Sequence, residues 1–290
     1  MLKSTIESIV PQLTSEVELL VSDNASTDNT SAYLSQISNQ IEYYCQHENI
    51  GGERNMLTCL GLGSGQFIWL LNDDDAISHN AVAVILSAIR LYPSMPLLWA
   101  RAASPSLSKP LFLDSTCRSS WTEMNGDSFL TSIAEWITFC PSIIVRRQNV
   151  SIPILEPYLG SLLIPTALTL HALAQENKAL VSDDPLVFPQ EGEIGRYDVF
   201  SVFTHSIRRV CAPFQHRPFS PLSLEQVYKS CYIRVIGDRI YNWPLSMYSS
   251  WNLMRYGLRY MQFYRMYLPA MLRRFWRSRH FSLKRITPSF

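Results

Sequence analysis

Phe67-Ile68-Trp69-Leu70-Leu71-Asn72-Asp73-Asp74-Asp75 sets five large apolar residues in an unbroken run, then one Asn and three carboxylates. A short apolar run bounded by polar turn residues predicts a strand buried on both faces, as in a parallel sheet. Open α/β sheets place their ligands at the carboxyl ends of such strands. Three adjacent carboxylates repel one another unless a cation sits among them. Hard oxygen donors on a short turn suit Mg²⁺ or Mn²⁺, which take carboxylates together with substrate phosphates. A solvated acidic turn is the bland alternative for the same residues.

Strand–helix alternation extends outward in both directions. Leu2, Ile6, Ile9, Val10 and Leu13 fall at helical spacing, and Val17–Val21 follows as a strand. That strand ends in Ser22-Asp23-Asn24-Ala25-Ser26-Thr27-Asp28-Asn29-Thr30, dense in turn formers and helix caps. A helix over 31–37, a strand over 41–45, a loop through Gly51-Gly52 and a helix over 53–62 come next. Gly61, Gly63 and Gly65 then turn the chain into the acidic strand. Further helices are expected over 78–92, 126–137 and 166–175, and strands over 97–100, 139–146 and 180–187. Residues 103–120 read as a surface excursion rich in Ser and Pro, and 190–198 as a polar loop. Short connections between alternating elements argue for a doubly wound α/β sheet.

The 290 residues suffice for one large domain or a domain with an appendage, and 47% are hydrophobic. The net charge of +1 hides an asymmetry. Residues 239–290 hold ten Lys or Arg and no acid, which leaves about −9 on residues 1–238. Six scattered Cys without a CxxC pair fit a reduced cytosolic protein better than a disulfide scaffold or a zinc site. The six His show no metal-ligand spacing, and Gly61-Leu62-Gly63-Ser64-Gly65 lacks the Lys-Ser/Thr of a P-loop. No stretch reaches about 18 clean apolar residues, and no signal peptide opens the chain.

Three segments in one order, Ser22–Thr30, Asn49-Ile50-Gly51-Gly52-Glu53-Arg54-Asn55 and Gly65–Asp75, resemble the family-2 glycosyltransferases of GT-A fold. The resemblance is firm over 2–80 and faint to about 205. Trp136–Phe139 and Ile144–Arg146 are similar to bacterial transferases that build surface polysaccharide, the abequosyltransferase-like group. The fold implied is a doubly wound mixed sheet over residues 1–205, with a helical, basic and aromatic region over 206–290. The activity implied is inverting transfer of a sugar from a nucleotide sugar to a glycan acceptor, lipid-linked by expectation, in O-antigen- or capsule-type synthesis.

The resemblance also implies roles for particular residues. Asp23, Asn24, Arg54, Asn55, Asp73 and Asp74 would bind the nucleotide sugar, with Arg54 pairing either Asp23 or a diphosphate. Asp73 and Asp75 would hold Mg²⁺ or Mn²⁺. Ser26, Thr27 and Asp28 read instead as caps of the next helix.

Inversion needs a general base within reach of the acceptor hydroxyl. The family's Glu-Asp pair is replaced here by Ile164-Pro165-Thr166-Ala167, which leaves Glu156 as first candidate and Glu135 as second. The family also opens on an apolar strand and a nucleotide-contacting turn, whereas Met1 stands at the following helix. The expectation is a start set 10–25 residues too late, or else a degenerate copy.

From Trp243 onward, aromatics interleave with Arg and suit a helix lying on anionic lipid at the inner face of the cell membrane. Single-stranded nucleic acid is set aside because the body is acidic and no nucleic-acid fold motif appears. A non-catalytic, glycosyltransferase-like binding protein is the alternative function. A nucleotidyltransferase has less support, lacking a Gly-rich loop with Lys or Arg at the start.

Overall fold

The computed structural model describes residues 2–103, 120–189, 201–215 and 218–231. The basic, aromatic stretch from Trp243 to Phe290 lies outside them. The chain forms two compact units, Met1–Phe129 with Ile137–Gly195, and Leu130–Trp136 with Arg196–Phe290. The expected boundary at 205 falls inside the second.

In the first unit, α1 (Leu2–Ile9) leads through a 3₁₀ turn to β1 (Leu20–Asp23), α2 (Thr30–Gln36), β2 (Glu42–Cys45) and α3 (Gly52–Leu62). Then come β3 (Phe67–Trp69), β4 (Asp75–Ile77), α4 (Ala81–Leu91), β5 (Leu97–Ala102) and β6 (Trp121–Asn125). After α5 (Gly126–Ile133) the order is β7 (Ile143–Arg146), α6 (Ile152–Leu155), α7 (Ile164–Glu176) and β8 (Lys178–Pro189). The second unit includes α8 (Ile207–Cys211) and α9 (Pro221–Ser230). Ser220 caps α9 by accepting the Ser223 N–H, and Pro221 opens the helix where its missing N–H costs nothing.

The strands make two sheets. β1 and β2 pair in parallel, Leu20 opposite Glu42 and Asp23 opposite Cys45. The other sheet runs β3-β7-β5-β8-β4, with β6 also on β8. Within it β5 and β8 are parallel, and the remaining pairs are antiparallel. The fold is therefore the expected mixed α/β sheet with helices on both sides.

The core lies on the two faces of β5, β7 and β8. Leu98, Ala100, Ile144, Leu180 and Leu186 cluster with Ala81, Val82, Ile85 and Ala88 of α4. The intervening residues point the other way, as strand alternation requires. Trp99 meets Phe129 edge to face at 5.6 Å between ring centroids. α7 packs against β5, β7 and β8 and is buried along nearly its whole length from Ile164 to Leu173. A helix apolar on every side suits such an enclosed position. It ends at Asn177, whose left-handed backbone (φ 54°) closes the last turn.

Two strand expectations are corrected. β3 is not buried on both faces: its three residues are half-buried, and it pairs only with β7, at the edge of its sheet. The first strand starts at Leu20 rather than Val17, because Glu18 turns outward to another partner. β4 and β6 were not foreseen, since each is short and one sits inside the acidic turn. Among the described residues no helix is long and apolar enough to cross a membrane.

Candidate active site

Asp23 ends β1 and is buried. Its Oδ1 accepts the Ser26 N–H at 2.8 Å, and its Oδ2 accepts the Tyr43 hydroxyl at 2.9 Å. Burial works to raise this carboxyl, but the donors from Ser26 and Tyr43 outweigh it, so Asp23 sits below its ordinary pKa. Burial pushes the Tyr43 hydroxyl up to about 12, so it stays protonated as a donor. Ala25 takes a left-handed backbone (φ 59°) where the chain leaves the strand.

The two asparagines of the expected nucleotide set are engaged inside the protein. Asn24 donates to Asn49 Oδ1 at 2.8 Å and accepts the Ile50 N–H at 2.9 Å, clasping the loop before α3 to the end of β1. Asn55 donates to the Ser22 carbonyl, and its Oδ1 accepts from the Ser22 hydroxyl and from Gln46. Both hold the loops that carry Asp23 and Arg54. The structure gives Arg54 no contact with Asp23: it projects exposed from the first turn of α3, with no side-chain hydrogen bond or ion pair among the described residues. Asp28 Oδ1 accepts the Thr30 N–H in a turn just before α2, but the cap position is Asn29, which makes no side-chain cap bond, so the capping expected of Ser26, Thr27 and Asp28 is not found.

The acidic turn splits into three environments. Asp73 is exposed, and its backbone carbonyl accepts the Thr5 hydroxyl of α1 at 2.9 Å. Asp74 is half-buried; burial first, and the Asp73 charge second, raise its carboxyl. Asp75 is buried in β4 and accepts the Asn72 side-chain amide at 3.1 Å. Burial raises the thiols of Cys59 in α3 and of Cys140, the latter to about 12, so both stay neutral. Asp23 thus ends β1, and the acidic turn follows the carboxyl end of β3.

Among the described residues no group of three or more His, Cys, Asp and Glu could hold a metal by itself. The acidic turn still suits Mg²⁺ or Mn²⁺, which complete their shells with water and substrate phosphate. Burial is the main cause of the raised Asp74, and the smaller Asp73 repulsion is the part such a cation would relieve.

Glu156 is exposed in a 3₁₀ turn, and no described contact joins it to Asp23 or the acidic turn. Glu135 belongs to the second unit. One residue that the sequence left unnoticed is Glu53. It accepts the Gly160 N–H at 2.6 Å and the Ser161 hydroxyl at 3.4 Å, so it ties the loop after Glu156 to the helix turn bearing Arg54. Its partners lie more than a hundred residues downstream, and no local pattern announces them. Tyr158 and His171, 3.1 Å apart between hydroxyl and Nε2, form a second unforeseen pair; burial lowers the His171 pKa and keeps the ring neutral.

The fold is GT-A. Its solved likenesses include residues 1–349 of S. aureus TarS (TM-score 0.59, 15% identity, 83% of this chain and 69% of that one). The same fragment in complex with UDP-GlcNAc gives a TM-score of 0.60 at 17% identity, covering 83% and 70%. Residues 1–100 match the family model described as glycosyl transferase family 2. A curated relative, abequosyltransferase RfbV of Salmonella typhimurium, is 32% identical over 74 residues. That match spans 24% of this chain and 22% of the relative.

Proposed function

We propose that this protein is a family 2 glycosyltransferase that moves a sugar from a nucleotide sugar to a glycan acceptor in bacterial cell-surface polysaccharide synthesis. The observation that supports it is the placement of Asp23 at the carboxyl end of β1 and of the acidic turn at the carboxyl end of β3, with exposed Arg54 in α3, whose neighbour Asn55 bonds to Ser22 beside Asp23. Asp23 stands at a strand end, where a carboxylate is suited to accept from a base or ribose. Arg54 suits a diphosphate, which a guanidinium grips with two parallel bonds. A Mg²⁺ or Mn²⁺ held by Asp73 and either Asp74 or Asp75 would offset charge on the departing nucleoside diphosphate.

Transfer with inversion follows from the family resemblance and requires a base at the acceptor hydroxyl. Glu156 is the proposed base, and Glu53 is suited to position it by holding the loop at Gly160. A lipid-linked acceptor, with the basic aromatic tail resting on the inner membrane face, completes the proposal. The alternative, a non-catalytic relative, gains weight from Asn24 and Asn55, whose side chains are occupied internally.

The test is titration with a panel of nucleotide sugars, with and without Mn²⁺, comparing wild type with the Asp73→Asn/Asp74→Asn variant. Binding that Mn²⁺ strengthens, and that weakens at least tenfold in the variant, is expected. Binding indifferent to both the ion and the substitution would remove the metal role. No binding of any nucleotide sugar would favour the non-catalytic reading.

A further inference from the structure

The end of β1 is braced from β2. In the parallel pair Asp23 stands opposite Cys45. Tyr43, two residues before Cys45, lies on the same face of the strand. Two residues of strand advance about 6.5 Å, and strand side chains lean along the chain direction. The Tyr43 hydroxyl thus reaches the level of Asp23, where it donates to Oδ2 at 2.9 Å. The Cys45 thiol is a weaker donor to the same oxygen, with Sγ at 3.9 Å. Oδ1 is held separately, by the Ser26 N–H at 2.8 Å. The carboxylate is therefore fixed at both oxygens, once by its own turn and once by the neighbouring strand.

Holding β2 on β1 does not call for the Tyr43 contact. The two strands are joined through their backbones, and the bonds from Glu42 N–H to the Leu19 carbonyl and from Gln46 N–H to the Asp23 carbonyl extend the pairing at both ends. Asp23 is 5% exposed, and a carboxylate so buried costs stability unless donors meet it. Asp28, later in the same turn, opposes its ionisation through like charge, so the charge on Asp23 rests on the donors from Ser26 and Tyr43. Burying a charge and then tying down each of its oxygens fixes an orientation, which is what a binding group requires of its surroundings.

We propose that Tyr43 is a positioning residue of the nucleotide site: by holding Asp23 Oδ2 it sets the acceptor geometry that a base or ribose meets. The inference rests on the reading of Asp23 as a nucleotide ligand. Tyr43 acts only through the carboxylate. Phe in its place keeps the ring in its half-buried seat and removes the hydroxyl alone. Losing a donor to the charged form favours the neutral acid, so Asp23 becomes both freer to turn and easier to protonate.

The test compares wild type with Tyr43→Phe and with a control, Tyr44→Phe, which alters an exposed side chain on the opposite face of β2. Two readouts are taken on the full chain. Carbon-13 NMR follows the Asp23 side-chain carboxyl through an acid titration without ligand. Calorimetry measures affinity for the nucleotide-sugar panel at about pH 7 and about pH 5. In Tyr43→Phe the Asp23 titration is expected to move to higher pH. Affinity is expected to fall about fivefold or more at pH 7, the scale of one hydrogen bond to a charged group, and to fall further at pH 5. Tyr44→Phe should match wild type in both readouts. If Tyr43 served the fold alone, Tyr43→Phe would lower the melting temperature and leave the carboxyl titration and the pH dependence of affinity as they are in wild type. That result overturns the proposal, and so does an affinity that Tyr43→Phe leaves unchanged. A wild type that binds no nucleotide sugar overturns the reading of the site as well, which separates that failure from the other two.

Discussion

Arg54 and Asp23 divide the work of the site between an exposed charge and a buried one. Arg54 makes no side-chain hydrogen bond or ion pair among the described residues, so Arg54→Ala is expected to leave the melting temperature unchanged. It should weaken binding of the nucleotide sugar about tenfold or more by calorimetry, the scale of one charge-assisted contact of about 1.5–3 kcal/mol. Asp23 behaves in the opposite way. Asn in its place keeps one acceptor and loses the charge that Ser26 and Tyr43 stabilise, so Asp23→Asn should cost about 1–2 kcal/mol in urea unfolding at pH 7.

The sign of its pH dependence follows from the lowered carboxyl. Asp23 contributes its full stability above the unfolded pKa, about 3.9, and loses it as pH falls through the lower folded value. Wild type should therefore lose stability more steeply than Asp23→Asn below about pH 4, and the gap between them should close in acid. Asp23 was legible in the sequence because a carboxylate at a strand end followed by a run of turn formers is a local pattern. The internal partners of Asn24 and Asn55 were not, because Asn49 and Ser22 meet them only once the loops fold together.

At the scale of elements, α3 is the hinge between the donor side of the site and the loop after α6. Glu53→Ala should free Gly160 and Ser161, at a cost of about 1 kcal/mol, with faster amide exchange at Gly160 than in wild type. Sugar transfer should fall by a larger factor than nucleotide binding if that loop bears the base. The core between sheet and helix is tested by Phe129→Ala, which removes the ring stacked on Trp99. A loss of about 3–5 kcal/mol is expected in denaturant unfolding, typical of a large core side chain cut to Ala. The helices over 53–62 and 166–175 were read within two residues, while those over 2–13, 78–92 and 126–137 overran the observed α1, α4 and α5 by three or four, since periodicity does not mark where a helix gives way to a 3₁₀ turn or loop. The environment of Phe67–Leu71 was misjudged for a physical reason: an apolar run records that a segment avoids water, not which neighbours cover it. β3 lies at an edge, and its Trp69 instead sends its indole N–H to the Pro141 carbonyl at 2.8 Å.

At the scale of the whole molecule, topology couples distant stretches. β8 is twelve residues long and is paired by three others: β6 along its first half, β4 at its end, and β5 from Leu180 to Val187. The acidic turn therefore has its strand support from a segment more than a hundred residues downstream, although every residue quoted for the family resemblance lies before Val150. Nothing in the first hundred residues announces that dependence, so the strand over 180–187 was legible in the sequence but its pairing with β4, β5 and β6 was not. During synthesis the consequence is one of timing. At about 5–20 residues per second, roughly 6–24 s separate the emergence of Trp69 from that of Pro189. For that interval Asp75, Ala76 and Ile77 leave the ribosome with no strand to lie against, so the nascent chain must wait for its far half before its acidic turn can take shape.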